Sequence, residues 1–128
     1  MSIRDEILAL SNTPPPREPL KVPGWPESTY CMTMTSVERD TWDSQWYKWR
    51  TEHNGDARDS SYADAFLLVY VLCDADGKRI FAECDAEDLA KQDCRRIAAA
   101  ARVAERMNAL RVSDLDEYIK NSGSAPTT

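Results

Sequence analysis

Histidine and glycine are scarce in this chain, and their scarcity excludes several kinds of active site. The 128 residues include one histidine, His53, and four glycines, so the sequence has no glycine-rich phosphate loop and no histidine pair for a zinc or hydrolase site. The four cysteines form no C-x-x-C pair, which argues against zinc. We therefore expect no enzymatic activity, no metal and no cofactor, and we expect the cysteines to be reduced, buried hydrophobic residues.

Long apolar segments and an N-terminal targeting signal are also missing. No apolar run approaches the roughly 18 residues of a membrane span, and no basic segment precedes an apolar one at the N-terminus. Acidic residues outnumber basic residues by 22 to 16, which gives a net charge of −6, and this charge repels nucleic acid and anionic membranes. We expect a cytosolic protein whose partner is another protein, with no nucleic acid and no membrane.

One stripe of basic residues leaves a nucleic-acid alternative open. On a predicted helix from Cys94 to Arg111, the side chains of Arg95, Arg102 and Arg106 fall within an arc of about 40°. Because the chain is acidic overall, we favour a solvated face that pairs with the acidic helix starts at 85–88 and 114–117.

The pattern of helix caps and breaks predicts a mainly α fold, a small helical domain with a short N-terminal antiparallel β-hairpin. A single domain is predicted over 1–121, and a flexible tail over 122–128. One predicted helical range, 85–111, combines a short helical segment from Asp85 to Leu89 with the long helix predicted from Cys94 to Arg111. The domain contains a short N-terminal helix, a hairpin at about 20–34, and helices at about 36–51, 61–73, 85–111 and 113–120.

The most apolar segment does not reveal its secondary structure through periodicity. Residues 66–73 are eight consecutive apolar residues, and such a run suits either a buried strand or a buried helix. We favour the helix because Ser61 and Asp64 resemble a helix cap and the segment from Tyr62 is long enough.

The stretch CDADGKRIF, which begins at Cys73, resembles the centre of a calcium-binding loop. Alignment on Gly77 places the first ligand position on Leu72 and the eighth position on Arg79, so the first carboxylate is missing. We expect a turn instead, in which Asp side chains bond to their own backbone and Gly77 supplies a positive φ.

Tryptophan supplies the candidate binding residues. On the helix predicted at 36–51, Trp42, Trp46 and Trp49 fall within an arc of roughly 60°. Such a face suits the core, and it also suits a partner-binding surface, where tryptophan is enriched. We predict Trp25, Trp42, Trp46 and Trp49 as partner-binding residues, with at least one indole of the helix exposed.

An ordered series of weak motifs extends over about residues 1–122. The motifs are MSIRDEILAL, REPLKVPGWPES, TSVERDTWDSQW, LLVYVLCDADGKRIF and RMNALRVSDLDEYIKNS. In this order and spacing they resemble the tail assembly chaperones of long-tailed, siphovirus-type bacteriophages and prophages.

The resemblance implies a non-enzymatic protein in the cytoplasm of a bacterial host. Such a chaperone binds the tape measure protein, keeps it soluble, assists tail tube assembly and is absent from the mature virion. The tail tube protein would be a partner indirectly or through a longer, frameshifted product. A generic helical protein-binding adaptor is the alternative, followed by a small nucleic-acid-binding regulator, and the oligomeric state is left open.

Overall fold

The computed structural model describes residues 2–52 and 59–123, and in these ranges the protein is mainly α. A small antiparallel sheet accompanies the helices, in the order β1-β2-β3. Both the mainly α class and the N-terminal hairpin are confirmed. The helices are α1 (Ile3–Ala9), α2 (Ser36–Glu52), α3 (Asp59–Val71), α4 (Ala86–Leu89), α5 (Cys94–Met107) and α6 (Val112–Gly123), and the strands are β1 (Arg17–Pro19), β2 (Tyr30–Met32) and β3 (Leu72–Cys73).

The centre of the core is α3, which is buried without interruption from Ala65 to its end. The prediction of a helix was therefore right for most of the apolar run, but its bounds of 61–73 were wrong. The helix begins at Asp59, and its last two predicted residues form β3. They leave the helix because Leu72 and Cys73 pair with β2 in an antiparallel register, and that pairing satisfies backbone groups that would otherwise be buried without partners.

The hairpin is present, but its first strand lies earlier than predicted. Arg17 pairs with Met32 and Pro19 pairs with Tyr30, whereas the hairpin had been predicted to begin at about residue 20. Leu20 and Val22 are buried. These two apolar residues lie outside the strand but contact the core. Pro19 is tolerated because β1 is an edge strand, where a missing N–H costs no ladder hydrogen bond.

The predicted helical range 85–111 contains two separate α-helices, α4 and α5, and ends earlier than predicted. Between them, the Asp93 carboxylate caps α5 by accepting a hydrogen bond from the Arg95 N–H at 2.9 Å. At the other end α5 stops at Met107, short of Arg111, because Ala109 adopts a left-handed φ of 49°. The Leu110 N–H then donates to the Glu105 carbonyl at 3.0 Å, as in a Schellman helix end.

Small residues allow α5 to pack closely on α3. Its buried side chains are Ile97, Ala100, Ala101 and Ala104, and all but Ala101 join the α3 residues in the hydrophobic core. Alanine adds little thickness at such a contact, so the two helix backbones approach each other closely. This helix pair supports the rest of the domain.

The two terminal helices lie at the margin of this core. α6 extends one residue before and three residues beyond the predicted range 113–120, so it includes the first two residues of the predicted tail. It contacts the end of α5, whereas α1 packs chiefly on the short 3-10 turn that follows it. The rest of the predicted tail, 124–128, and His53 lie outside the described residues.

Candidate functional site

Aromatic side chains join α2 to α3. The rings of Trp46 and Trp49 stack with centroids 5.4 Å apart and an interplanar angle of 11°. Trp46 also lies 5.8 Å from Phe66, and Trp49 lies 4.8 Å from Tyr62, both on α3. Because tilted and offset aromatic pairs stabilise a contact beyond the area that they bury, this cluster fixes α2 against the core.

The tryptophans of α2 are half-buried, so none of the three is wholly core. Trp42 and Trp46 pack against the hydrophobic core. Within the described part of the chain, the buried Trp42 Nε1–H has no hydrogen-bond acceptor from the protein. The structure brings these three residues together on one face as predicted, and their contact with a partner stays a prediction.

Trp25 is anchored rather than free in its loop. Its Nε1–H donates to Gln92 Oε1 at 2.8 Å, in the turn between α4 and α5. Gly24 beside it has a φ of +90°, and a Cβ there would lie 2.8 Å from Nη2 of Arg96. The positive φ favours glycine here, whereas the flexible end of the Arg96 side chain could move away from a Cβ. The Trp25 indole is half-buried against the core, and its contact with a partner stays a prediction.

The stretch that resembles a calcium loop forms a turn. The Asp74 carboxylate accepts hydrogen bonds from the N–H groups of Asp76 and Lys78, at 2.9 and 3.0 Å. Gly77 has a φ of +84°, and Arg17 Nε donates to the Ala75 carbonyl at 2.9 Å. Both backbone donors bind Oδ1 of Asp74, and in the described ranges no cluster of three metal-ligating side chains occurs.

Arg79 has a structural role that sequence reasoning missed. Its Nε and Nη2 donate to the Val69 carbonyl at 3.1 and 2.8 Å, near the end of α3, where carbonyls lack helical partners. The guanidinium carbon lies 4.6 Å from the centre of the Tyr70 ring, within range of a cation–π contact. Burial, together with the hydrogen bond from Tyr70 to the Glu83 carboxylate, raises the pKa of Tyr70.

Two of the three arginines in the basic stripe form ion pairs. Arg95 pairs with Asp93 at 2.7 Å, and Arg106 pairs with Glu18 on β1. The side-chain and backbone hydrogen bonds from Arg95 lower the pKa of Asp93 to about 2. Pairing with acidic groups agrees with the favoured interpretation of the stripe, although Asp93 and Glu18 lie outside the acidic segments that had been expected.

The cysteines divide into a buried pair and an exposed pair. Cys31 and Cys73 are buried in adjacent strands, and burial raises the pKa of the Cys31 thiol to about 12. Cys84 and Cys94 are exposed, so the expectation of four buried cysteines was wrong for these two. All four are free thiols.

Many of the exposed large apolar side chains lie on the terminal helices α1 and α6. On α6, Val112, Leu115, Tyr118 and Ile119 are exposed by 77%, 44%, 63% and 57%. Their spacing of three or four residues places them on one side of the helix. The sequence had suggested α6 only as a short acidic helix, but this spacing was a signal from which the stripe could have been found.

An open groove runs beside the α6 stripe. It has a volume of about 580 Å³, and its apolar lining includes Pro16, Met34, Met107, Leu110, Leu115 and Tyr118. Asn108 fixes its floor, because Oδ1 accepts from the Met34 N–H at 2.7 Å and Nδ2 donates to the Ala104 carbonyl at 2.9 Å. An apolar groove of this kind suits the apolar face of an amphipathic helix.

In the described ranges, no helix has the length and apolar character needed to cross a membrane.

Comparisons with other proteins identify no relative of this chain. The motif-based resemblance to tail assembly chaperones stays a prediction. A scan against protein-family models, a search of curated proteins and a search of solved structures each found no match.

Proposed function

We propose that this protein is a tail assembly chaperone of a long-tailed bacteriophage or prophage. In this role it binds the tape measure protein in the cytoplasm of the bacterial host, keeps it soluble and assists tail tube assembly, without enzymatic activity. The observation that carries the proposal is the exposed apolar stripe of α6 beside an open apolar groove. A protein that holds apolar helices needs such a surface.

The size of this surface suits reversible binding. Full burial of a Leu- or Ile-sized side chain contributes about 1.5–3 kcal/mol, and the α6 stripe offers four large apolar side chains that are now largely exposed. Association costs about 4–15 kcal/mol in lost motion and ordering, so the net free energy of binding is small. A chaperone that leaves before the virion is complete requires weak binding of this kind.

The pocket that continues the groove toward β1 contains acidic groups, whereas the charged residues that line the groove itself are Arg39 and Arg111. Glu18, Asp114 and Glu117 line this pocket, and the whole chain carries a net charge of −6. The net negative charge of the chain helps to keep a complex with an apolar segment in solution. Tail tube subunits would be reached indirectly or through a longer product.

Co-expression with a tape measure protein encoded in the same gene neighbourhood tests the proposal. We expect the wild-type chain to raise the soluble fraction of the tape measure protein and to co-elute with it in size-exclusion chromatography. Leu115→Asp places a charge in the stripe and abolishes both effects, whereas Tyr47→Asp, at an exposed aromatic position on α2, leaves them intact.

Two outcomes contradict the proposal in different ways. If the tape measure protein stays insoluble with the wild-type chain, the chaperone function is wrong and a generic helical adaptor becomes the better account. If rescue occurs but survives Leu115→Asp, the function stands and the binding surface lies elsewhere, with the α2 tryptophans as the next candidates.

A further inference from the structure

The pocket that continues the groove toward β1 carries an excess of negative charge. It has a volume of about 370 Å³, and its charged lining residues are Glu18, Arg106, Asp114 and Glu117. Arg106 pairs with Glu18, whereas in the described ranges no cation pairs with Asp114 or Glu117. Two negative charges in the pocket are therefore uncompensated.

The pocket shares an apolar floor with the groove. Pro16, Met107 and Tyr118 line both of them, and the Tyr118 side chain is 63% exposed. An apolar floor beside carboxylates suits lysine or arginine, because the methylene stem of such a side chain packs on apolar surface while its charged head stays at the polar edge. The face of a tyrosine ring also attracts a cation.

The carboxylates suit an organic cation better than a metal ion. A calcium ion takes roughly six to eight oxygen ligands in one place. In the part of the chain that the structure describes, no three acidic, histidine or cysteine side chains are grouped so that they could hold a metal ion. A guanidinium or ammonium group needs only one or two carboxylates.

The two ends of this joined surface differ in charge. Arg39 lines only the groove, and Asp114 and Glu117 line only the pocket. Arg111 also lines the groove, but it pairs with Glu105. A cation placed opposite Arg39 would be repelled, so a cation on a bound helix is favoured at the pocket end alone.

We propose that the client, the protein whose apolar helix binds in the groove, carries a lysine or arginine beside one end of that apolar face. This cation enters the pocket next to Glu18, Asp114 and Glu117. The helix then binds in the direction that brings its cation to the pocket and away from Arg39. This inference rests on the proposed function, because the groove must first hold an apolar helix.

Binding of synthetic helical peptides tests this charge selection. Three peptides of about 18 residues, each roughly 27 Å long as a helix, share one apolar face of leucine and alanine. They differ at one flanking position near one end, which carries lysine, glutamine or glutamate. Fluorescence anisotropy at low ionic strength gives the Kd of each peptide for the full chain. We expect the lysine peptide to bind roughly three- to tenfold more tightly than the glutamine peptide, and the glutamate peptide to bind most weakly.

Two neighbouring charge reversals on α6 separate the pocket from the charge of the whole chain. Glu117→Lys and Asp116→Lys change the net charge equally, and both positions are exposed. Glu117 lines the pocket, whereas Asp116 lines neither the pocket nor the groove and lies about 160° from Asp114 around the helix axis. We expect Glu117→Lys to abolish the preference for lysine and Asp116→Lys to retain most of it, with unchanged helical content in circular dichroism.

The other outcomes overturn the inference and identify what failed. Equal binding of the three peptides leaves the groove as a helix-binding surface and removes the charge selection. A preference that is the same in both variants, whether retained or lost, shows that the pocket is not its source. If no peptide binds the wild-type chain, the groove does not hold apolar helices, and the co-expression experiment decides whether the chaperone function uses another surface.

Discussion

The helices α3 and α6 both carry many apolar residues, yet one is enclosed by the domain and the other is open. In α3 the apolar residues are consecutive, so every side of the helix needs cover, and α2, α4 and α5 surround it. In α6 they recur every three or four residues, so only one side needs cover, and that side stays exposed. A consecutive run specifies the centre of a fold, whereas an uncovered stripe specifies a surface for a partner.

The largest expected difference in stability is between alanine substitutions of one leucine on α3 and one leucine on α6. Leu68 on α3 is 0% exposed and Leu115 on α6 is 44% exposed. Leu68→Ala should lower the free energy of unfolding by about 2–5 kcal/mol, and Leu115→Ala by about 1 kcal/mol or less, measured by urea denaturation. Equal losses at the two positions would show that α6 belongs to the core, which contradicts the comparison.

A smaller effect is expected where α2 meets α3. Trp46→Ala removes the ring that contacts both Trp49 and Phe66, and we expect a loss of roughly 2–3 kcal/mol in the free energy of unfolding. Tyr47→Ala is the matched control, because its side chain is 71% exposed and should cost about 0.5 kcal/mol or less. If Trp46→Ala costs no more than the control, the α2 tryptophans are a free surface rather than part of the core contact.

The smallest effect concerns the turn that separates α5 from α6. Ala109→Gly should raise the free energy of unfolding by roughly 0.5–1 kcal/mol, because glycine adopts the φ of 49° without a steric penalty. Ala98→Gly, at an exposed position inside α5, should instead lower it by about 0.5–1 kcal/mol. Thermal denaturation of both variants tests this reversal of sign, and destabilisation by both would refute the assigned strain at Ala109.

Elements encoded by neighbouring residues could be predicted from the sequence. The capping box of Thr35 and Glu38 correctly predicted the start of α2, where the two residues exchange hydrogen bonds of 2.8 and 3.1 Å. The same local logic predicted the turn at Gly77. These features depend on hydrogen bonds within a few residues, so the sequence contains the full signal.

Features that depend on distant residues could not be predicted in the same way. Leu72 and Cys73 leave the helix for β3 because of a pairing with Tyr30 and Cys31, which no local pattern encodes. Ala109 takes a left-handed φ that is usual for glycine, so its sequence position gave no indication of the end of α5. The surface at α6 was missed because spacing shows that an apolar stripe exists, but only the tertiary arrangement shows that nothing covers it.

Hydrogen exchange of the free chain and of its complex with the tape measure protein tests the central claim most directly. The claim is that the open stripe of α6, rather than the aromatic face of α2, holds the client. We predict slower amide exchange across Val112–Gly123 in the complex and little change across Ser36–Glu52. Protection confined to α2, with α6 unchanged, would contradict the account.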